Sequence, residues 1–266
     1  MITKYSAKPV KDDLKAKDAI KFLAVCGLLV WFMFSGVNKL NYNWQWYRIP
    51  RFIFTFVDGS FVSGPLIKGL WVTLKITAAS LLFSSIFGLV TTLFRLSDSF
   101  AARTLARSYM ELVRNTPLLV QIFFIYFVIS PILGFGRFTS AVLALSLFEG
   151  AYASEIFRAG ILSIHQEQWE AAYSIGLNRW DTYRHVILPQ AIRHMLPPLV
   201  SQAVSLIKDS ALVSTIAIYD LTMKGEQIIA DTYMVFELWF TIAAIYLIMT
   251  VTLSVVVSML EKGEVK

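Results

Sequence analysis

Charge is scarce in this chain of 266 residues: Asp, Glu, Lys and Arg make up only 16%, against roughly 25% in soluble domains. Cysteine is scarcer still. Cys26 stands alone, so no internal disulfide can form, and its place in an apolar run marks it as a packing residue. No G-x-x-x-x-G-K-S/T loop occurs to cradle a nucleoside triphosphate. A serine hydrolase is unsupported without a G-x-S-x-G elbow, and a cysteine hydrolase because Cys26 has no base beside it. His165, His185 and His194 lack close metal-ligand spacing and no Cys joins them; they read as interfacial contacts. Internal repeats, low-complexity tracts and long Gly/Ser linkers are also missing.

Apolar residues fill the space, at 56%. Several apolar runs approach or exceed the ~20 residues that a helix needs to cross a bilayer. A transmembrane barrel would show alternating segments of about 10 residues, and none occur. The expected class is therefore an all-α integral membrane protein. The net charge of +6 would suggest nucleic acid on a soluble protein. Here it fits the collection of Lys and Arg in cytoplasmic loops, and no nucleic-acid partner is expected.

The chain divides into two stretches. In 1-64, residues 1 to 21 carry six lysines against three aspartates, and an apolar run follows from Ala19 to Val37. No small-x-small cleavage pattern follows cleanly, so this is read as an uncleaved first membrane helix rather than a signal peptide. Trp44, Trp46 and Tyr47 beside Arg48 and Arg51 suit the outer headgroup level. In 65-261, spans are expected at Pro65 to Phe94, Leu118 to Leu133, 138 to 160, Pro197 to Ile218 and Phe236 to Leu260. Pro197 suits a first helical turn. An outer loop holds Asp220, Lys224, Glu226 and Asp231. Between the first two of these spans, Leu105, Tyr109 and Leu112 recur at helical spacing beside Arg103 and Arg107, as in a helix lying along the membrane surface. The count is about six spans with both termini in the cytoplasm, and the arginine-rich loops alternate to match.

One polar segment interrupts this pattern. WEAAYSIGLNRWDTYRHVILPQAIRH (169 to 194) belongs to a cytoplasmic loop of about thirty residues, a length that is usually functional. It reads as two short helices. Trp169, Ala172 and Tyr173 share a face of the first, and Gly176 ends it. Asn178 with Asp181 opens the second. Trp180, Tyr183 and Ile187 line one face there, and Pro189 limits its length. Such a pair offers a docking surface, or packs against the protein's own helices; the physics alone leaves both open.

The spacing goes further. Glu170-Ala171-Ala172, then Gly176 after three residues, then Val186-Ile187-Leu188-Pro189 after nine, resembles the EAA loop of ABC importer permeases, with Val186 in place of the usual Ile. GLWVTLKIT (69 to 77), ELVRNTPLLVQ (111 to 121), EGAYASEIFRAGI (149 to 161) and SLIKDSALVSTI (205 to 216) look like the branch for polar amino acids. The resemblance implies a type I ABC importer permease fold with an extra N-terminal helix, in a bacterial inner membrane. It implies that the coupling loop at 163-190 engages a separate ATP-binding subunit through Glu170, Ala171, Ala172, Gly176, Leu188 and Pro189. It further implies a second permease subunit, identical or homologous, and an extracytoplasmic substrate-binding protein. This chain would hold no cofactor, since ATP and Mg belong to the partner. The reading from another class is an ATP-independent secondary carrier.

Ionisable groups near the bilayer centre cost roughly 2.5–3.5 kcal/mol on insertion scales, so they are functional candidates by default. Lys75, Glu149, Lys208 and Asp209 lie well inside their spans. Glu149 or Asp209 would meet the ammonium of a zwitterionic amino acid, and Lys208 or Lys75 its carboxylate. Alternatively Glu149 pairs with Lys208 and holds helices in register. Gln121 is a weaker candidate, because polar residues also glue membrane helices. Glu155 and Arg158 are three apart and suit a structural pair. Arg114, Asn115 and Thr116 form a gate or cap a helix.

Overall fold

A computed structural model describes residues 16–39, 42–57 and 60–264. These fall into two compact units, Met1–Trp44 and Gln45–Lys266. The first contains a 24-residue helix, α1 (Ala16–Lys39).

The second unit begins with a short 3₁₀ turn (Trp46–Arg48), α2 (Pro50–Ile53) and a hairpin of β1 (Phe54–Val57) and β2 (Ser60–Ser63). The strands pair antiparallel, Phe54 opposite Ser63 and Val57 opposite Ser60. This hairpin is the departure from an all-α reading. It is too short for periodicity to reveal. Its neighbourhood is fastened by Glu237, fully buried, whose carboxylate accepts from the Gln45 backbone N–H at 2.6 Å.

Then come α3 (Pro65–Leu96), α4 (Phe100–Arg114), α5 (Leu118–Phe123), α6 (Ser130–Leu133) and α7 (Arg137–Leu162). The axis of the fold is the packing of α3 on α7. Between lipid-like surfaces the hydrophobic effect gives helices little reason to associate, so small residues that permit close approach take over. On α3 the buried residues include Thr73, Thr77, Ser80, Ser84 and Gly88 beside Ile76; on α7 they include Ala144, Gly150, Ala153 and Ser154. A Cβ on Gly88 would lie 2.8 Å from the Ala153 Cβ. The Thr92 hydroxyl lies 3.1 Å from the Ser154 carbonyl and 3.2 Å from its hydroxyl.

Among the described residues, four helical segments are long and apolar enough to cross a membrane: Pro65–Leu96, Arg137–Leu162, Arg179–Ile216 and Val235–Val257. Leu118–Leu133 is not a straight span. It carries a π turn at Phe124–Ile129 and joins α4 at a bend of 107°, the pair counting as a fifth crossing if taken together. The bend begins where Pro117, with no N–H to give, follows a capped helix end: the Asn115 side chain donates to the Glu111 carbonyl and the Thr116 hydroxyl to that of Leu112.

Next are α8 (Gln166–Ser174), α9 (Arg179–Asp181), α10 (Leu188–Asp209), α11 (Leu221–Thr232) and α12 (Val235–Glu264). The expected start at Pro197 is corrected: Pro197 and Pro198 sit inside α10. Pro189 does not stop the preceding helix either. A π turn at Thr182–Ile187 places the Leu188 N–H on the Tyr183 carbonyl, five residues back. Lengthening the ladder by one residue there makes room for a residue with no N–H. The segment expected as an outer loop is also helical. Asp220 caps α11 by accepting from the Met223 N–H at 2.9 Å.

Candidate functional site

Two places gather polar chemistry: the segment 163–190, and a cavity between α7, α10 and the end of α4.

In the first, α8 ends on Gly176 at φ +84°, a left-handed conformation that strains any residue with a Cβ. The Gly176 N–H donates to the Tyr173 carbonyl at 3.0 Å and the Leu177 N–H to that of Ala172 at 3.1 Å, the paired bonds of a Schellman end. The Asn178 side chain then accepts from the Asp181 N–H at 2.9 Å, so the second helix starts as its spacing predicted. Trp169 and Tyr183 meet edge to face at 4.8 Å and brace the two helices against each other. Ala172, Ile187, Ala191 and Met195 are buried beneath. The face drawn through Trp180, Tyr183 and Ile187 splits, because the π turn rotates it: Ile187 is fully buried while Trp180 is 70% exposed. Tyr173 and Ile175 are exposed with Trp180. Glu170 and Ala171 also lie at the surface, Glu170 accepting from the Gln166 amide at 2.8 Å. Leu188 and Pro189 are exposed.

The second place is a cavity of about 460 Å³ whose walls include Arg114, Glu149, Tyr152, Glu155, Gln202 and Asp209. Glu149, 3% exposed, projects from the middle of α7. The Gln202 amide donates to its carboxylate at 2.6 Å and to its backbone carbonyl at 2.7 Å. Both protons of that amide are thereby directed at Glu149, and its oxygen is left buried without a donor. The Asp209 carboxyl faces that of Glu149. The sequence offered Glu149 and Asp209 as alternatives, and the structure places both on this one cavity. Lys208 and Lys75 do not join them: both are exposed, and Lys75 lies 5.5 Å over the Trp71 ring. Among the described residues no ion pair links Glu149 to Lys208. Gln121 is also away from the cavity. Its amide donates to the Val113 carbonyl at 2.7 Å and to the Thr116 hydroxyl at 2.8 Å, closing the bend between α4 and α5.

The cation that reaches the cavity is Arg114, which the sequence marked only as a gate or cap, and Gln202 was not singled out at all. Its signal was present: an amide within an apolar span. Arg114 lies 2.9 Å from Glu155 and stacks 5.5 Å over the Tyr152 ring. Glu155 is more than the partner of Arg158: Arg95 at 3.2 Å, Arg114 at 2.9 Å and Arg158 at 3.7 Å converge on it. One carboxylate thus ties α3, α4 and α7.

Comparison with known proteins meets this geometry. Residues 80–263 match the family described as binding-protein-dependent transport system inner membrane component. The glutamine transport system permease protein GlnP of Escherichia coli (strain K12) is 40% identical over 200 residues, covering 74% of this chain and 91% of that protein. The L-cystine transport system permease protein TcyB of Bacillus subtilis (strain 168) is 40% identical over 196 residues, 73% of this chain and 84% of the other. A crystal structure of an amino acid ABC transporter with histidines superposes with a TM-score of 0.70 at 40% identity, over 74% of this chain and 93% of that one. None of these supports an ATP-independent carrier. The chain therefore belongs to the binding-protein-dependent transport system inner membrane components, as a multi-pass permease subunit of an ABC importer.

Proposed function

We propose that this permease carries polar amino acids, driven by separate ATP-binding subunits that dock on residues 163–190. The observation that supports the substrate class is the pairing of carboxylates with a guanidinium in one cavity, in a chain 40% identical to permeases named for glutamine and cystine. The ammonium of the substrate meets Glu149, Asp209 and the unpartnered Gln202 oxygen; its carboxylate meets Arg114. A zwitterion entering water-poor surroundings needs both partners, because an unpaired charge there costs several kcal/mol.

Two permease chains, identical or homologous, enclose the pathway, and an extracytoplasmic binding protein delivers the substrate. Both termini are cytoplasmic. ATP and Mg are held by the partner subunits, which grip Glu170, Ala171, Ala172, Gly176, Leu188 and Pro189. The exposed Tyr173, Ile175 and Trp180 supply apolar contact, while the Trp169–Tyr183 brace makes the two helices move as one. ATP-driven closure of the partner subunits pulls this loop and turns the cavity outward; their release turns it inward. The chain itself makes and breaks no covalent bond.

The test is to purify the complex from membranes, identify the subunits that accompany it, and assay its ATPase with binding protein loaded with each amino acid in turn. Stimulation by one or a few polar amino acids supports the assignment; a complex without an ATP-binding subunit overturns it.

A further inference from the structure

Beside the Glu149 cavity lies a second, of about 590 Å³, within the ~300–1,000 Å³ usual for ligand pockets. Five guanidinium groups line it: Arg95, Arg103, Arg107, Arg114 and Arg158. Only two carboxylates, Glu111 and Glu155, share its walls. Glu155 is already met by three arginines. Arg158 Nε is buried without a hydrogen bond, and Arg107 makes no ion pair among the described residues. Positive charges brought together in a concave site repel one another and attract an anion.

The neighbourhood says which anion. Arg114, Tyr152 and Glu155 line both cavities, so a single wall, the Arg114–Tyr152 stack with the Arg114–Glu155 pair, separates them. A solute leaving the Glu149 cavity through that wall enters the arginine cavity next. Glu111, which makes no ion pair among the described residues, leaves an acidic partner beside the guanidiniums, so a zwitterion can use both signs where phosphate uses only one. The face of α4 that carries Leu105 and Leu112, both exposed, lies across the helix from Arg103 and Arg107, so the cavity does not open on that apolar side.

We propose that the arginine cavity is an exit station for the transported amino acid, taking its α-carboxylate on Arg107 and Arg103 after Arg114 releases it, with Glu111 beside its ammonium. This rests on the proposed amino acid transport through the Glu149 cavity. The passage then proceeds by two weak steps rather than one strong one, and opening the Arg114–Glu155 pair is the step between them.

The experiment uses the intact complex with its ATP-binding subunits, in lipid nanodiscs without nucleotide, titrated with labelled L-glutamine. Two sites per permease chain are expected. Arg107→Gln with Arg103→Gln, on the exposed face of α4, should weaken one of them about a hundredfold, the loss of two charge-assisted contacts, while Glu149→Gln weakens the other. In ATP-driven uptake the arginine variant should lower the turnover rate and leave KM unchanged, and Arg107→Lys should restore much of it. Equal inorganic phosphate should not displace L-glutamine. One site per chain, a superimposable titration in the arginine variant, or displacement by phosphate would each overturn the exit station. A wild-type complex that neither binds nor transports any amino acid would instead remove the transport reading beneath it.

Discussion

Glu149 shows what a single residue discloses and what it hides. Its depth was legible from its distance to the ends of an apolar run, and an acid at that depth needs a reason. Its partners were not legible, because hydropathy gives depth along a span but not direction around it. Lys208 and Asp209 are neighbours in sequence, so about 100° separates them around the helix. Asp209 faces Glu149 and Lys208 is exposed. Arg114 lines the cavity just before the chain bends by 107°; Pro117 announces a break there but not its angle. Glu149→Gln is expected to assemble normally, since the Gln202 amide still finds an acceptor, and to weaken amino acid binding by about tenfold or more. Unchanged uptake kinetics in this variant would show that Glu149 does not touch substrate. Asp220 carries a second prediction. Burial raises its pKa to about 6, against the opposing N–H groups of Met223 and Thr222. A carboxyl raised on folding contributes stability at low pH that is lost as pH rises through the folded value. From pH 7 down to pH 5 the wild type should therefore gain thermal stability relative to Asp220→Asn, which keeps the cap without the charge. The shift bounds the full gain at about 3 kcal/mol. Parallel melting curves across that range would contradict it.

At the scale of elements, helix ends were read well and helix interruptions badly. Gly176 and Asn178 act as their types require, since a left-handed turn and an N-cap are local problems with local solutions. Prolines misled for the same reason. The carbonyl that a proline leaves unpaired in a peptide can be served in a protein by a π turn a few residues earlier, as before Pro189. Helix α11 was hidden because its charged residues resembled a loop, while its burial against α3 and α12 is a tertiary fact. The 163–190 element carries its own prediction. Pro cannot adopt φ +84°, so Gly176→Pro breaks the Schellman end and the register between Glu170 and Leu188. Uptake and stimulated ATPase should fall to background while the complex still inserts, measured as complex yield against turnover. Glu170→Lys, an exposed charge reversal, should uncouple without unfolding. Intact coupled transport in both variants would contradict the docking role.

For the whole molecule, hydropathy was enough to expect a multi-pass membrane protein. The EAA spacing named its family by resemblance, because several residues had to match at fixed intervals at once. What stayed hidden was the packing, in which small residues such as Gly88 set how near α3 comes to α7. The account's central claim is that ATP, spent by partner subunits, moves an amino acid through this chain. Its most direct test is uptake into liposomes holding the purified complex, with no ion gradient, of the labelled amino acid whose loaded binding protein stimulates the ATPase. Accumulation that requires ATP and vanishes in Gly176→Pro is the predicted result. Accumulation that follows an imposed ion gradient without ATP would contradict the account.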